Sequence, residues 1–292
     1  MSLVRRVLSN LRTDDPITPL LDEYLLTCQP RISYHIPLEE RLRPPGRLSA
    51  SGVGGCRRRA AYAFLGVSGK KIEDPVTMRV LRRGTWIHHE WQATLLDMQK
   101  VMGPDRIRVL GIEKRVVIPR LFVIGHYDAK VSIERADPVM IDFKSARDES
   151  YRWKSSKGPD PQHVDQITVY QQAERCKKGY IVYDNKNDQE HHVSPVDYLR
   201  DVWDRTKTWC ERTIDDLRAH RVPPMHPECE RGSYMAKNCP YSMYCYGDLD
   251  IRQLMYGGKR SKFETPEQWW DHGLRLERRH KARASQNGHA DS

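Results

Sequence analysis

Between Val139 and Ile141 the chain is wholly apolar, and it then closes on an acid, an aromatic and a base, Asp142-Phe143-Lys144. So short an apolar run, ending in charge, reads as a strand whose last residues leave the core. Its neighbours fix the fold class. Upstream, Ile107 to Ile118 and Leu121 to Ile133 read as two strands joined at Pro119-Arg120 in a hairpin, with Asp128 inside the second strand. Before them, Pro75 to about Val101 has helical periodicity, with Leu81, His88, Trp91, Leu95 and Met98 in one stripe. Downstream, Pro161 to Cys176 returns to helix, Gly179 to Tyr183 is a fourth strand, and His191 to Val193 adds another. Helix, three strands, helix, strand describes an α/β core with a small mixed sheet, preceded and followed by helical material.

The flanks are read the same way. Two short helical stretches precede Pro30, and a connection rich in Arg and Pro runs from Arg41 to Arg47. The turn Ser49 to Cys56 leads into a helix from Arg57 to Leu65, ended by Gly66. Val196 to His220 is a long helix stopped by Val222-Pro223-Pro224, and Cys229 to Gly247 is loop-rich. In Thr265-Pro266-Glu267-Gln268 the order of cap, first-turn proline and a glutamine three residues on predicts a helix start. The residues from about Ser285 are polar and read as disordered.

Charge narrows the partner. With 49 Lys and Arg against 39 Asp and Glu, the net charge of +10 favours a polyanion such as nucleic acid. No apolar run reaches the roughly 18 residues of a membrane span. The first residues lack the apolar stretch of a secretory signal, so a cytoplasmic location is expected. In that compartment the seven cysteines are free thiols or metal ligands rather than disulfides.

Strand alternation puts Asp142 and Lys144 on one face and turns Phe143 away. If the strands are neighbours, Asp128 lies across from Asp142, and two carboxylates make a hard-oxygen site for Mg²⁺ or Mn²⁺ beside a lysine. Phosphodiester hydrolysis uses that combination, because it neutralises charge on phosphate and acidifies a water. A lone Asp-x-Lys is far more often an ordinary strand end, so the surrounding motifs decide.

Those motifs are Gly125-His126-Tyr127-Asp128, Val139 to Ser145, Gly84-Thr85-Trp86-Ile87-His88 and Gln166-Ile167-Thr168-Val169-Tyr170, in that relation to helix and strand. Together, over roughly Ser49 to Gly247, they resemble the RecB-like branch of the PD-(D/E)xK nuclease superfamily. The resemblance implies a restriction-endonuclease-like fold. It implies a metal set of His88, Asp128, Asp142 and Phe143, and a catalytic set of Lys144, Asp128, Asp142, Gln166 and Tyr170. Glu113, in the first strand, is a further candidate. Cys56 far upstream, with Cys229, Cys239 and Cys245 near the end, resembles the iron–sulfur subset that includes CRISPR-associated exonucleases of the Cas-four type. The resemblance there implies a [4Fe-4S] cluster joining the helical additions, with structural zinc as the alternative. Nine residues separate Cys229 from Cys239, where the family usually has two.

The expected activity is therefore Mg²⁺- or Mn²⁺-dependent hydrolysis of single-stranded DNA or DNA ends, as an exonuclease leaving 5′-phosphates. A non-catalytic DNA-binding protein and a structure-specific endonuclease are the alternatives. Residues 1–48 are expected to form a helical extension, 49–247 the nuclease domain, and 248–292 a basic helix and tail. Arg57 to Arg59, Arg82, Arg83, Lys154, Lys157, Lys177 and Lys178 supply a phosphate track, and Trp153, Trp269 and Trp270 candidate stacking surfaces. Any unwinding would come from a helicase or recombination partner.

Overall fold

The computed structural model describes residues 15–28, 44–70, 75–246 and 265–287. In chain order its elements are α1 (Ile17–Cys28), β1 (Leu48–Ser49), α2 (Arg57–Phe64), α3 (Pro75–Met102), β2 (Ile107–Ile112), β3 (Arg115–Ile118), β4 (Val123–His126), β5 (Ala129–Ile133), β6 (Val139–Ala146), α4 (Asp148–Lys157), α5 (Pro161–Glu174), β7 (Lys178–Asn185), β8 (His191–Asp197), α6 (Arg200–Arg218), α7 (Tyr234–Asn238), α8 (Ser242–Cys245) and α9 (Pro266–Asn287). The first of the two expected N-terminal helices, residues 41–43 of the Arg- and Pro-rich connection and residues 288–292 of the polar tail lie outside the described residues, while α9 runs on to Asn287, past the expected start of the tail at Ser285.

The chain divides into two compact units. The first takes its described residues from 15–28, 75–116 and 126–203. Its sheet runs β2-β5-β6-β7-β8, with the β6–β7 pair parallel and the other pairs antiparallel. One face is apolar. Val139, Ile141 and Phe143 of β6, with Ala129 and Val131 of β5, join Tyr24 of α1 and Ile87, Trp91, Leu95 and Met98 of α3 in a buried cluster. Trp91 stacks on Phe143 at 5.3 Å between ring centres. The opposite side of β6 carries Asp142, which α5 reaches through Gln166. The mixed α/β architecture, a small sheet flanked by helices, is the expected restriction-endonuclease-like one.

The expected hairpin is real but broken. β2 carries a bulge between Val109 and Gly111, and Glu113 then takes a left-handed φ of 51°. Hydrogen bonds continue across the break, from Glu113 N–H to the Asp128 carbonyl and from Tyr127 N–H to the Lys114 carbonyl, both at 3.2 Å. Each long strand thus becomes two, since a bulge interrupts the regular ladder. β3 and β4 join β1 in a second sheet of order β1-β4-β3. Asp128 consequently sits between β4 and β5 rather than inside a strand.

Other boundaries also differ. β8 extends to Asp197 because its ladder with β7 runs through Gly179–Val196 and Lys178–Asp197, so α6 begins at Arg200 instead of Val196. Pro195 is tolerated in that strand because β8 is the last of its sheet and needs fewer ladder donors. Helix α4 lies in a stretch to which the sequence reading assigns no element, and Leu81 of the expected apolar stripe is exposed.

The second unit takes its described residues from 44–70, 117–125, 204–246 and 265–287. Arg57 of α2 is bonded to the Arg212 carbonyl and paired with Asp216 of α6, and the Trp209 ring N–H donates to the Gly55 carbonyl. α9 begins on the expected reciprocal cap, with Gln268 N–H donating to Thr265 Oγ1 and Thr265 N–H to Gln268 Oε1. Its inner side is occupied: Trp270 packs edge-on against Phe122, and Gly273 faces the Pro45 carbonyl so closely that no side chain would fit.

Candidate active site

Parallel pairing holds β6 in the middle of the first unit's sheet, and its end delivers Asp142 and Lys144 to one side. The β5–β6 register pairs Ala129 with Ile141, so Asp128 falls one step further, opposite Asp142. Its Oδ2 accepts the Phe143 N–H at 2.7 Å. His88, from α3, brings Nδ1 to 3.3 Å from the same oxygen. Gly84, one turn earlier, faces the Ser145 hydroxyl at a distance that any Cβ would crowd, which lets the helix approach the end of β6. The spacing of Gly84 and His88 thus has a packing reason.

Lys144 Nζ lies 2.6 Å from Asp142 Oδ2 but off the hydrogen-bonding direction, so that buried oxygen has no donor in line. Asp142 Oδ1 accepts from Gln166 Nε2 at 3.2 Å. The other amide hydrogen of Gln166 goes to the Tyr170 hydroxyl, at 3.0 Å. Gln166 and Tyr170 are four apart on α5 and so share its inner face.

Two buried carboxylates this close cannot both be comfortable as anions. Burial pushes Asp142 up to about 6, with Lys144 opposing and Asp128 adding to the rise. Burial acts the same way on Asp128, yet the charge and hydrogen bond of His88, then Lys144 and the Phe143 N–H, hold it below the ordinary carboxylate range. His88 is correspondingly raised, Asp128 outweighing its burial. Burial, then the charges of Asp142 and Asp128, lift Tyr170 well above a free phenol, so it stays protonated.

The structure therefore gathers His88, Asp128, Asp142, Lys144, Gln166 and Tyr170. Phe143 is different: its ring is stacked in the core, so only its main chain faces Asp128. Glu113 accepts from Gln92 Nε2 at 2.7 Å, and the same nitrogen reaches the Asp128 carbonyl at 3.4 Å. Gln92 thus braces the Asp128 turn, a part the sequence reading missed. Its one signal was its place one turn beyond His88 on the inner side of α3.

Carboxylate oxygens, an imidazole and a buried oxygen without a donor suit a hard divalent cation by chemistry. Among the described residues, no three His, Cys, Asp or Glu side chains are spaced to hold a metal ion. Asp128 and Asp142 are instead closed by His88 and Lys144. The described cysteines form no such group either. Cys56 caps α2, Cys229 and Cys239 are buried, and Cys245 ends α8, all in the second unit. Burial raises Cys239 and Cys245, and each is raised further by Cys56 and Cys229. The four thiols therefore share one neighbourhood without closing on a common centre.

A mixed sheet flanked by helices, with two acids and a lysine at adjoining strand ends, defines a protein of the restriction-endonuclease-like class. The model of the PD-(D/E)XK nuclease superfamily matches residues 57–246, more than half of the chain, and the chain belongs to that superfamily. No curated protein sequence matches it. Among solved structures, it is similar to an alkaline exonuclease from Laribacter hongkongensis (12% identity, 60% of this chain and 89% of that one, TM-score 0.41). The same enzyme in complex with dAMP gives 13% identity, the same coverage and a TM-score of 0.42. The structure titled SSO0001 is 18% identical over 83% of this chain and 99% of that one, with a TM-score of 0.41. At these TM-scores the likenesses carry no inference about activity.

Proposed function

We propose that the chain is a divalent-metal-dependent deoxyribonuclease acting on single-stranded DNA or DNA ends, with an exonuclease mode. The observation that carries this reading is Asp142 Oδ2, buried and without an in-line donor, between Asp128 and Lys144. His88, Asp128, Asp142 and the main chain of Phe143 are the residues that would hold Mg²⁺ or Mn²⁺. When bound, the ion would neutralise the scissile phosphate and acidify a water.

The remaining work falls to side chains. Gln166 and Tyr170 fix Asp142 through Oδ1, which leaves Oδ2 for the cation. Lys144 places its ammonium where negative charge grows on the phosphate and orients the attacking water. Water oxygen bonds to phosphorus, the 3′ oxygen leaves with a proton, and the products carry a 5′-phosphate and a 3′-hydroxyl.

The exonuclease mode rests on the cysteine pattern. Cys56, Cys229, Cys239 and Cys245 are assigned a [4Fe-4S] cluster of the Cas-four type, with four-thiolate zinc as the alternative. Their common neighbourhood in one unit supports that reading. A helicase or recombination partner would supply unwinding.

Asp142→Ala and Lys144→Ala are expected to lower cleavage of end-labelled single strands with Mg²⁺ or Mn²⁺ by at least about 100-fold. Thermal unfolding and DNA binding in EDTA should stay close to wild type. Wild-type cutting by either variant sinks the site assignment, and a wild-type chain that binds DNA without cutting is a binding protein on a nuclease fold.

A further inference from the structure

A second lysine stands beside the first, and nothing in the chemistry above uses it. β6 and β7 are parallel, and Lys144 pairs with Tyr183, so those two side chains stand next to each other on the α5 side of the sheet. Tyr183 is fully buried and its hydroxyl is pinned twice, by the Asp160 N–H at 3.1 Å and by His163 Nδ1 at 2.9 Å. Over its ring, 5.4 Å from the centre, lies the ammonium of Lys154, from α4. Ser150 Oγ accepts from that ammonium at 3.0 Å.

Lys154 is thus placed, not waving. Among the described residues it has no carboxylate at ion-pair distance. Asp160, the acid whose charge acts on it most, uses its own Oδ1 to receive the Gln162 N–H that starts α5. The other charge acting on it is Lys144, of the same sign. Burial, followed by Lys144 and Lys154, pushes His163 down to about 3, so the ring beside them stays neutral. Lys144 has Asp142 beside it, whereas Lys154 is an ordered ammonium that burial works against and that holds no carboxylate of its own, a place an anion would fill. The nearest anion on a bound strand is the neighbouring phosphate.

We propose that Lys154, held over Tyr183 beside Lys144, binds the phosphate next to the scissile one on the same DNA strand. This rests on the nuclease reading for what lies at Lys144, and adds a residue that grips substrate without touching the reacting atoms. Tyr183 and Ser150 are the positioning residues that hold its ammonium in place.

The test compares wild type, Lys154→Gln, Lys154→Arg and, as a control for loss of one exposed positive charge, Lys207→Gln. Binding of fluorescein-labelled oligothymidylate is followed by anisotropy in EDTA across a salt series, and cleavage with Mg²⁺ or Mn²⁺ is measured separately. Lys154→Gln is expected to bind about 5- to 10-fold more weakly and to lose about 0.7 from the slope of log affinity against log salt. Its KM should rise by the same factor with kcat within about 3-fold, and Lys154→Arg should recover most of the affinity. Because burial works against the charge of the half-buried lysine and it makes no ion pair, Lys154→Gln should melt no lower than wild type.

Wild-type affinity and salt slope in Lys154→Gln overturn the proposal while leaving a cutting wild type as a nuclease. A lowered melting temperature with kcat and KM lost together also overturns it, since the lysine is then structural. Weakened binding in a chain that never cuts supports Lys154 as a strand-binding residue and removes the nuclease reading instead. A wild type that binds no strand overturns both.

Discussion

His163 shows how one side chain can be held against its ordinary chemistry. Burial, then the nearby ammonium groups of Lys144 and Lys154, depress it to about 3, while the Tyr183 hydroxyl occupies Nδ1. In the unfolded chain the ring takes a proton near 6.5, so between those values only the unfolded state carries the extra charge. Its contribution to stability is therefore complete above pH 6.5 and falls as pH drops toward 3, by up to about 1.4 kcal/mol per unit. Urea unfolding between pH 7 and 4 should show that slope in wild type and a shallower one in His163→Gln, which keeps a polar partner for Tyr183. Equal slopes would mean the ring is not held neutral. The same paired reasoning explains why Gln92 escaped the sequence reading while His88 did not. Histidine, aspartate and lysine at motif spacing announce chemistry, whereas a glutamine on the inner side of α3 announces only helix until the turn it braces is seen.

Elements were legible where their signal is local. α9 begins at the expected residue because Thr265 and Gln268 cap each other, and Thr265→Ala should cost about 1 kcal/mol. That loss is read as faster amide exchange in the first turn of α9, and unchanged exchange there would show that packing against Phe122 and Pro45 suffices. α4 was missed because Tyr151 is its buried apolar residue and no periodic stripe exists. What supports it is charge order, with Asp148 and Glu149 in the first turn and Lys154 and Lys157 in the last, followed by Gly158 at φ 96°. The broken hairpin is a third kind of case. Alternation runs straight through Ile107 to Ile118, and only Gly111 with the turn at Glu113 marks the place where the ladder changes sheet. That break matters for the site, because it frees Asp128 from a regular strand and lets its carboxylate receive the Phe143 N–H.

At the scale of the whole chain, the two clusters of chemistry belong to different units: the acids, histidine and lysine to the first, the four clustered cysteines to the second. Sequence order hides this, since Cys56 precedes the nuclease motifs and the other three follow them, and both units are assembled from separated segments. Two metals would then have separable effects. Chelating a hard cation with EDTA should stop cleavage and leave melting nearly unchanged, because Asp128 and Asp142 already have His88, Lys144 and Gln166 as partners. A four-thiolate metal would instead be part of folding, with binding worth on the order of 10 kcal/mol to the unit that holds it. Cys239→Ser, purified without oxygen, is therefore expected to lose its iron or zinc and to lose cooperative unfolding, whereas Asp142→Ala keeps both. Iron and sulfide near four per chain identify the cluster, and one zinc identifies the alternative. A Cys239→Ser protein that melts as wild type does, with neither metal in either preparation, would make these cysteines ordinary buried thiols. The exonuclease mode, which leans on them, would fall with the cluster while the case for Asp142 and Lys144 stood.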